Sequence, residues 1–146
     1  RIPKPGQGEI PVLYGGEFGE DMDRVSWHTG LNQGEIIQRH ESGSYKVYFT
    51  GFSPGFPYIA GLDSSLSTPR LTTPRKQVPA GAVGIAEEQT GIYPLASPGG
   101  WNLIGQTPLK IFDWTHPLDL RVKMGDRIKF ISISKEDFDR LKENVT

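Results

Sequence analysis

Cysteine is absent from this chain, which leaves neither a disulfide framework nor a thiolate zinc site and agrees with a cytoplasmic location. No surplus of one charge exists either. Sixteen Lys and Arg face seventeen Asp and Glu, for a formal net charge of −1. That balance gives no electrostatic footprint for nucleic acid or an anionic membrane, and neither is expected as a partner. No apolar run approaches the roughly 20 residues that span a bilayer, and no secretory leader is expected from these residues. Histidine is limited to His28, His40 and His116. None sits four residues from a second ligand on a helix face, so all three are read as structural and no metal site is expected. A Walker-type phosphate loop and a dinucleotide fingerprint are also missing. No cofactor is therefore expected in this domain.

What is there, in 146 residues and 16.2 kDa, is enough for one domain with a genuine core. Residues 1–8 read as a linker from a missing N-terminal domain, because Ile2-Pro3-Lys4-Pro5-Gly6 has linker composition. Residues 9–146 read as the domain itself.

From Phe49 to Pro108 the charges are confined to Asp63, Arg70, Arg75, Lys76, Glu87 and Glu88. The rest is Gly/Pro/aromatic text: Gly51-Phe52-Ser53-Pro54-Gly55-Phe56-Pro57-Tyr58, then Thr68-Pro69-Arg70 echoed by Thr73-Pro74-Arg75. Gln89-Thr90-Gly91-Ile92-Tyr93-Pro94 and Ser97-Pro98-Gly99-Gly100-Trp101 follow. Proline fixes φ and removes a donor, while glycine opens φ values closed to other residues. Disordered segments are poor in the aromatics and branched aliphatics interleaved here. The stretch is expected to be a rigid loop system that is buried or meets a partner.

Local signals predict the elements around it. Glu9–Tyr14 alternates and runs into Gly15-Gly16, a strand and a turn. Asp21–His28 predicts a short helix with Gly30 at its C-cap. Asn32 with Glu35 forms a capping-box pattern opening a second helix through Ile36, Ile37 and His40, stopping near Gly43. Tyr45–Thr50 alternates with period two and predicts a strand. Further strands are predicted at Ala82–Ala86, Gly91–Leu95, Asn102–Gly105, Leu109–Trp114 and Arg127–Ile133. Ser134 with Asp137 caps a terminal helix carrying Phe138, Leu141 and Val145. Many short strands separated by turns argue a barrel or sandwich edged by helices.

Gly51-Phe52-Ser53-Pro54-Gly55 matches the spacing of a nucleophile elbow, which uses the N–H after the serine as an oxyanion donor. Pro54 has no N–H, so Ser53 is not read as a nucleophile. Arg70 and Arg75 each follow Thr-Pro, and each offers a fixed fork of donors matched to a carboxylate or phosphate. They either read an anionic ligand or partner side chain, or tie their loops to carbonyls. Gln89, Tyr93 and Ser97 are candidates to add hydrogen bonds to the same pocket. Phe52, Phe56, Tyr58 and Trp101 read as core, or as a binding patch where exposed.

These motifs, in this order from Ile10-Pro11-Val12-Leu13-Tyr14-Gly15-Gly16 to Asp126-Arg127-Ile128, resemble the carboxyltransferase C–D type domain. That family covers the small subunit of ATP-dependent 5-oxoprolinase, subunit 1 of allophanate hydrolase, part of urea carboxylase, and the bacillar inhibitor of a sporulation histidine kinase. The sequence is similar in particular to the C-terminal domain of that inhibitor. Ala82 and Glu87-Glu88 depart from the serine and small residues expected there. The resemblance implies a mainly β fold, a cyclophilin-like β-barrel with a few peripheral α-helices. It also implies one component of a heteromeric enzyme whose ATP is handled at the level of the complex. The implied partners are a carboxyltransferase A–B type protein (like the C component of 5-oxoprolinase), a protein like its A component, and the dimerisation helices of a sensor histidine kinase. The A–B type protein would then be an antagonist of the kinase inhibition.

Overall fold

A computed structural model describes residues 8–49, 57–109 and 127–144. The barrel strands are β1 (Glu9–Tyr14), β2 (Tyr45–Phe49), β3 (Pro57–Ala60), β5 (Ala82–Ala86), β6 (Gln89–Ile92), β8 (Asn102–Gln106) and β9 (Arg127–Ser132). A separate two-stranded ribbon is formed by β4 (Arg75–Val78) and β7 (Ser97–Gly99). The barrel runs β1-β8-β5-β6-β3-β2-β9 and closes on itself. Closure is made by a parallel pairing of β1 with β9, Ile10 opposite Phe130 and Val12 opposite Ser132. A closed barrel leaves no free edge for another chain to extend.

Side-chain alternation decides which face each strand presents. Tyr45 and Val47 are buried around exposed Lys46, and Ile128 and Phe130 around exposed Arg127 and Lys129. β5 and β8 are buried throughout, because both faces are covered. Val83, Ile85 and Ile104 point into the barrel with Ile10, Val12, Ile59 and Ile92. Ala82, Ala86 and Leu103 point outward and pack with Tyr93, Trp101 and Val78 of the ribbon. The ribbon thus lies over the outer wall of the barrel and buries a second, smaller core.

Three helices flank the described barrel: α1 (Met22–Thr29), α2 (Gln33–Ser42) and α3 (Lys135–Asn144). Gly30 ends α1 at φ 77°, a left-handed conformation natural to glycine. The capping box of α2 is complete. The Glu35 amide donates to Asn32 Oδ1 at 2.8 Å, and the Asn32 amide donates to Glu35 Oε1 at 3.1 Å. The Asp137 amide donates to Ser134 Oγ at 3.1 Å at the start of α3. That helix buries Phe138 and Leu141, and Phe138 stacks on Phe18 at 5.0 Å between centroids.

His40 is fully buried in the wall between α2 and the barrel. Tyr14 donates its hydroxyl proton to His40 Nδ1 at 2.6 Å, and His40 Nε2 meets Thr90 Oγ1 at 2.9 Å. The Thr90 hydroxyl donates onward to the Gly84 carbonyl at 2.8 Å, so it accepts from His40. The ring is therefore the neutral Nε2–H tautomer. Burial lowers the His40 pKa to about 3 and pushes the Tyr14 phenol well up, with Tyr45 and Glu41 adding to the rise.

The mainly β barrel with a few peripheral helices is the fold that the sequence implies. Two details differ. The strand expected at Gly91–Leu95 is Gln89–Ile92, because a tight turn through Glu87 (φ 55°) pairs Gln89 with Ala86. The text expected to be loop contains β3, β4 and β7. Leu109 is buried, but the remainder of the strand expected at Leu109–Trp114 lies outside the described residues, as do Val145 and His116.

Candidate functional site

A cavity of about 620 Å3 opens between the ribbon and the barrel wall. Its floor and sides are Tyr58, Tyr93 and Trp101, and its rim is Arg70, Leu71, Pro74, Ser97, Pro98, Gly99 and Gly100. β3 supplies Tyr58, and Tyr93 directly follows β6. β7 supplies Ser97, Pro98 and Gly99, and Trp101 directly precedes β8. Gly100 lies between β7 and β8, and Arg70, Leu71 and Pro74 come from the arm of residues 68–74, which runs from the first Thr-Pro-Arg tripeptide into the second.

The arm is held by hydrogen bonds at successive residues. The Glu87 amide donates to the Thr68 carbonyl at 2.8 Å, and the Leu71 amide donates to the Gly100 carbonyl at 2.8 Å. This leaves Arg70 exposed at the mouth of the cavity, its guanidinium carbon 5.7 Å from the centre of the Trp101 ring. A guanidinium over an indole face is attracted by the ring quadrupole. Tyr58 packs on the same indole at 5.9 Å between ring centroids. Among the described residues Arg70 has no ion-pair partner, so its fork of donors is available to a ligand.

Tyr93 is buried with its hydroxyl against Gly99, where a Cβ would overlap the phenol oxygen. Burial raises the Tyr93 pKa. The Trp101 backbone hydrogen bond and the charges of Arg70 and Arg75 oppose that rise without cancelling it. The phenol therefore stays protonated at neutral pH. Ser97 Oγ donates to the Leu95 carbonyl at 3.2 Å on the rim.

The second Thr-Pro-Arg is used differently. Arg75 grips Asp21 with both ends of its guanidinium, at 2.7 and 2.8 Å, and lies 3.3 Å from Glu20. Asp21 is buried and also accepts from the Leu103 amide at 2.8 Å. Arg75 therefore fastens the ribbon to the barrel and does not line the cavity.

Of the residues singled out from sequence, the structure gathers Arg70, Tyr93, Ser97, Tyr58 and Trp101 around one cavity. Gln89 stands half-buried at the start of β6, away from it. Phe52 and Phe56 lie outside the described residues, as does Ser53. Sequence reasoning missed Leu71, Pro74 and Pro98 as walls, and Asp21, Arg24 and Asn102 as the groups that hold the arm. The repeated Thr-Pro-Arg marked the arm, but no local signal marks a brace from a distant helix. Among the described residues no group of three or more His, Asp or Glu could hold a metal. No helix among them is long and apolar enough to cross a membrane.

Residues 2–118 match the family profile described as carboxyltransferase domain, subdomain C and D. The chain is 47% identical over 135 residues to a Bacillus subtilis protein named as the B subunit of 5-oxoprolinase, covering 92% of this chain and 56% of that one. It is 49% identical over 123 residues to the Escherichia coli O157:H7 protein of the same name, covering 84% and 56%. A conserved uncharacterized protein from Pyrococcus horikoshii superposes with a TM-score of 0.84 at 48% identity, over 89% of this chain and 60% of that one. The chain spans a little over half the length of these curated relatives. It belongs to the carboxyltransferase domain family, subdomains C and D.

Proposed function

We propose that the chain is the carboxylate-binding part of a protein like the B subunit of 5-oxoprolinase, which helps to open 5-oxoproline to glutamate at the expense of ATP. The observation that carries this reading is the Arg70 guanidinium at the mouth of a largely apolar cavity, laid over Trp101 and without an ion-pair partner among the described residues. A guanidinium matches a carboxylate in two parallel hydrogen bonds. The lactam ring of 5-oxoproline suits the surfaces of Leu71, Pro74 and Trp101. Its N–H can donate to Ser97 Oγ on the rim, whose own proton goes to the Leu95 carbonyl.

Among the described residues the lining contains no Asp, Glu, His or Lys, and Tyr93 is held protonated. Proton transfer at the ring amide needs a group poised near the working pH. In this reading the partner proteins supply it: a carboxyltransferase A–B type protein and a protein like the A component of 5-oxoprolinase, with ATP bound outside this domain. A cavity of about 620 Å3 exceeds what one small lactam fills, leaving room for a partner's side chains.

The test is the reconstituted complex carrying Arg70→Ala. The reading expects the KM for 5-oxoproline to rise about tenfold or more, the loss of one charged fork being about 1.4 kcal/mol or more. The KM for ATP is expected to stay put. Unchanged turnover and KM for 5-oxoproline would remove Arg70 from the site.

A second reading, inhibition of a sensor histidine kinase by docking on its dimerisation helices, is favoured by one observation. Trp27 on α1 is 87% exposed, the residue type most often found at interaction hot spots. In that reading the A–B type protein antagonises inhibition by competing for this chain. Titration against the purified kinase tests it: no binding at roughly 50 micromolar, about −6 kcal/mol, counts against the contact.

A further inference from the structure

We propose that Arg24, on the first turn of α1, is a positioning residue for Arg70. It locks the buried amide of Asn102 in the orientation that its carbonyl partners require, and Asn102 in turn holds the arm that carries Arg70 over Trp101. The affinity part of this proposal rests on the reading of the cavity as a carboxylate site; the positioning part does not.

Asn102 is fully buried at the start of β8, next to Trp101. Its Nδ2 donates to the carbonyls of Pro69 at 2.8 Å and Ile85 at 3.0 Å, and lies 3.5 Å from that of Thr68. These carbonyls require a donor. The two ends of an asparagine amide have nearly the same shape, so shape alone does not choose between them. The carbonyls select the NH2 end, and Arg24 satisfies the oxygen left on the other side, because a guanidinium can only donate. Its Nε donates to Asn102 Oδ1 at 2.9 Å, which locks the amide with its NH2 end toward the arm.

The same guanidinium reaches the arm directly, with Nη2 3.3 Å from the Pro69 carbonyl and 3.4 Å from that of Arg70. The other anchors hold Thr68 and Leu71 on either side. Arg24 touches the backbone of Arg70 itself. Its own base is firm: Met22 and Val25 of α1 are buried in the barrel cluster, and Asp21 ties the start of the helix to Leu103 and Arg75. A functional side chain is placed well only when the groups behind it are locked on rigid elements. Arg24 does not line the cavity, so its effect on a ligand passes through Arg70.

The experiment follows the Arg70 Nε–H resonance, identified by its loss in Arg70→Lys, in the 15N-labelled chain and its Arg24→Ala and Arg24→Lys variants. The same samples are titrated with 5-oxoproline. Arg24→Ala is expected to move the Arg70 signal toward the position of a free arginine and to weaken 5-oxoproline about tenfold. Arg24→Lys, which keeps a donor for Asn102 Oδ1, is expected to recover part of both. A structural role alone would change the melting temperature without that ordered recovery. An unmoved Arg70 signal in a folded Arg24→Ala chain overturns the proposal. Should Arg24→Ala fail to fold, Arg24→Met, which keeps the stem without a donor, takes its place, and an unmoved Arg70 signal with unchanged affinity there overturns it equally. If the parent chain itself ignores 5-oxoproline, the functional reading falls, and the unliganded Arg70 signal still decides the positioning.

Discussion

Arg75 closes a two-pronged ion pair on Asp21, 54 residues earlier in the chain, at 2.7 and 2.8 Å. Asp21 is buried and holds the Leu103 amide as well, so a single carboxylate joins the ribbon, α1 and β8. Removing one partner of such a pair leaves the other without compensation. Arg75→Ala is therefore expected to lower unfolding stability by about 2 kcal/mol, read as a shift of the urea midpoint. Arg70→Ala, which removes an exposed side chain, is expected to change it by less than about 0.5 kcal/mol. Equal effects of the two substitutions would contradict the division of labour between them.

That division also marks where sequence reading stops. Asn32 with Glu35, Gly30 after α1, and the alternation of Tyr45, Lys46 and Val47 are local chemistry, and each element they predict is present. β4 and β7 were illegible because Arg75–Val78 and Ser97–Gly99 gain strand geometry only by pairing with each other over the barrel wall. The shift of β6 toward Gln89 depends on Glu87 taking φ 55°, which composition does not announce. Arg70 and Arg75 share the same preceding dipeptide. Only the distant Asp21 makes one structural and leaves the other at the cavity, and no spacing rule reports a contact of that kind.

His40 predicts a pH dependence. Its folded pKa lies at about 3, while an unfolded histidine titrates near about 6.5. Between those values the unfolded chain binds the extra proton, so stability rises with pH. The contribution is complete above about pH 6.5 and is lost as pH falls toward 3, with a slope of at most about 1.4 kcal/mol per pH unit. His40→Gln is expected to be less stable at pH 7 and to show a shallower loss between pH 6.5 and 4.5. Urea midpoints at stepped pH check it. An identical pH slope in both proteins would contradict the buried neutral ring.

Gly99 predicts a steric effect at the cavity wall. A Cβ there overlaps the hydroxyl and ring of Tyr93, and overpacking of this kind costs about 1–3 kcal/mol. Gly99→Ala is expected to lower the melting temperature and to weaken any ligand of the cavity. Adding Tyr93→Phe removes the nearest atom of the overlap and is expected to return part of the stability. A double variant no more stable than Gly99→Ala alone would show that the phenol oxygen is not the obstacle.

The central claim is that Arg70 makes this cavity a carboxylate site. Titrating 5-oxoproline into the 15N-labelled chain while following the Trp101 indole N–H tests it most directly, with Arg70→Ala as the paired sample. The account predicts a saturable shift of the Trp101 signal that disappears in Arg70→Ala while the rest of the spectrum keeps its folded dispersion. The same shift with the same midpoint in Arg70→Ala would contradict it.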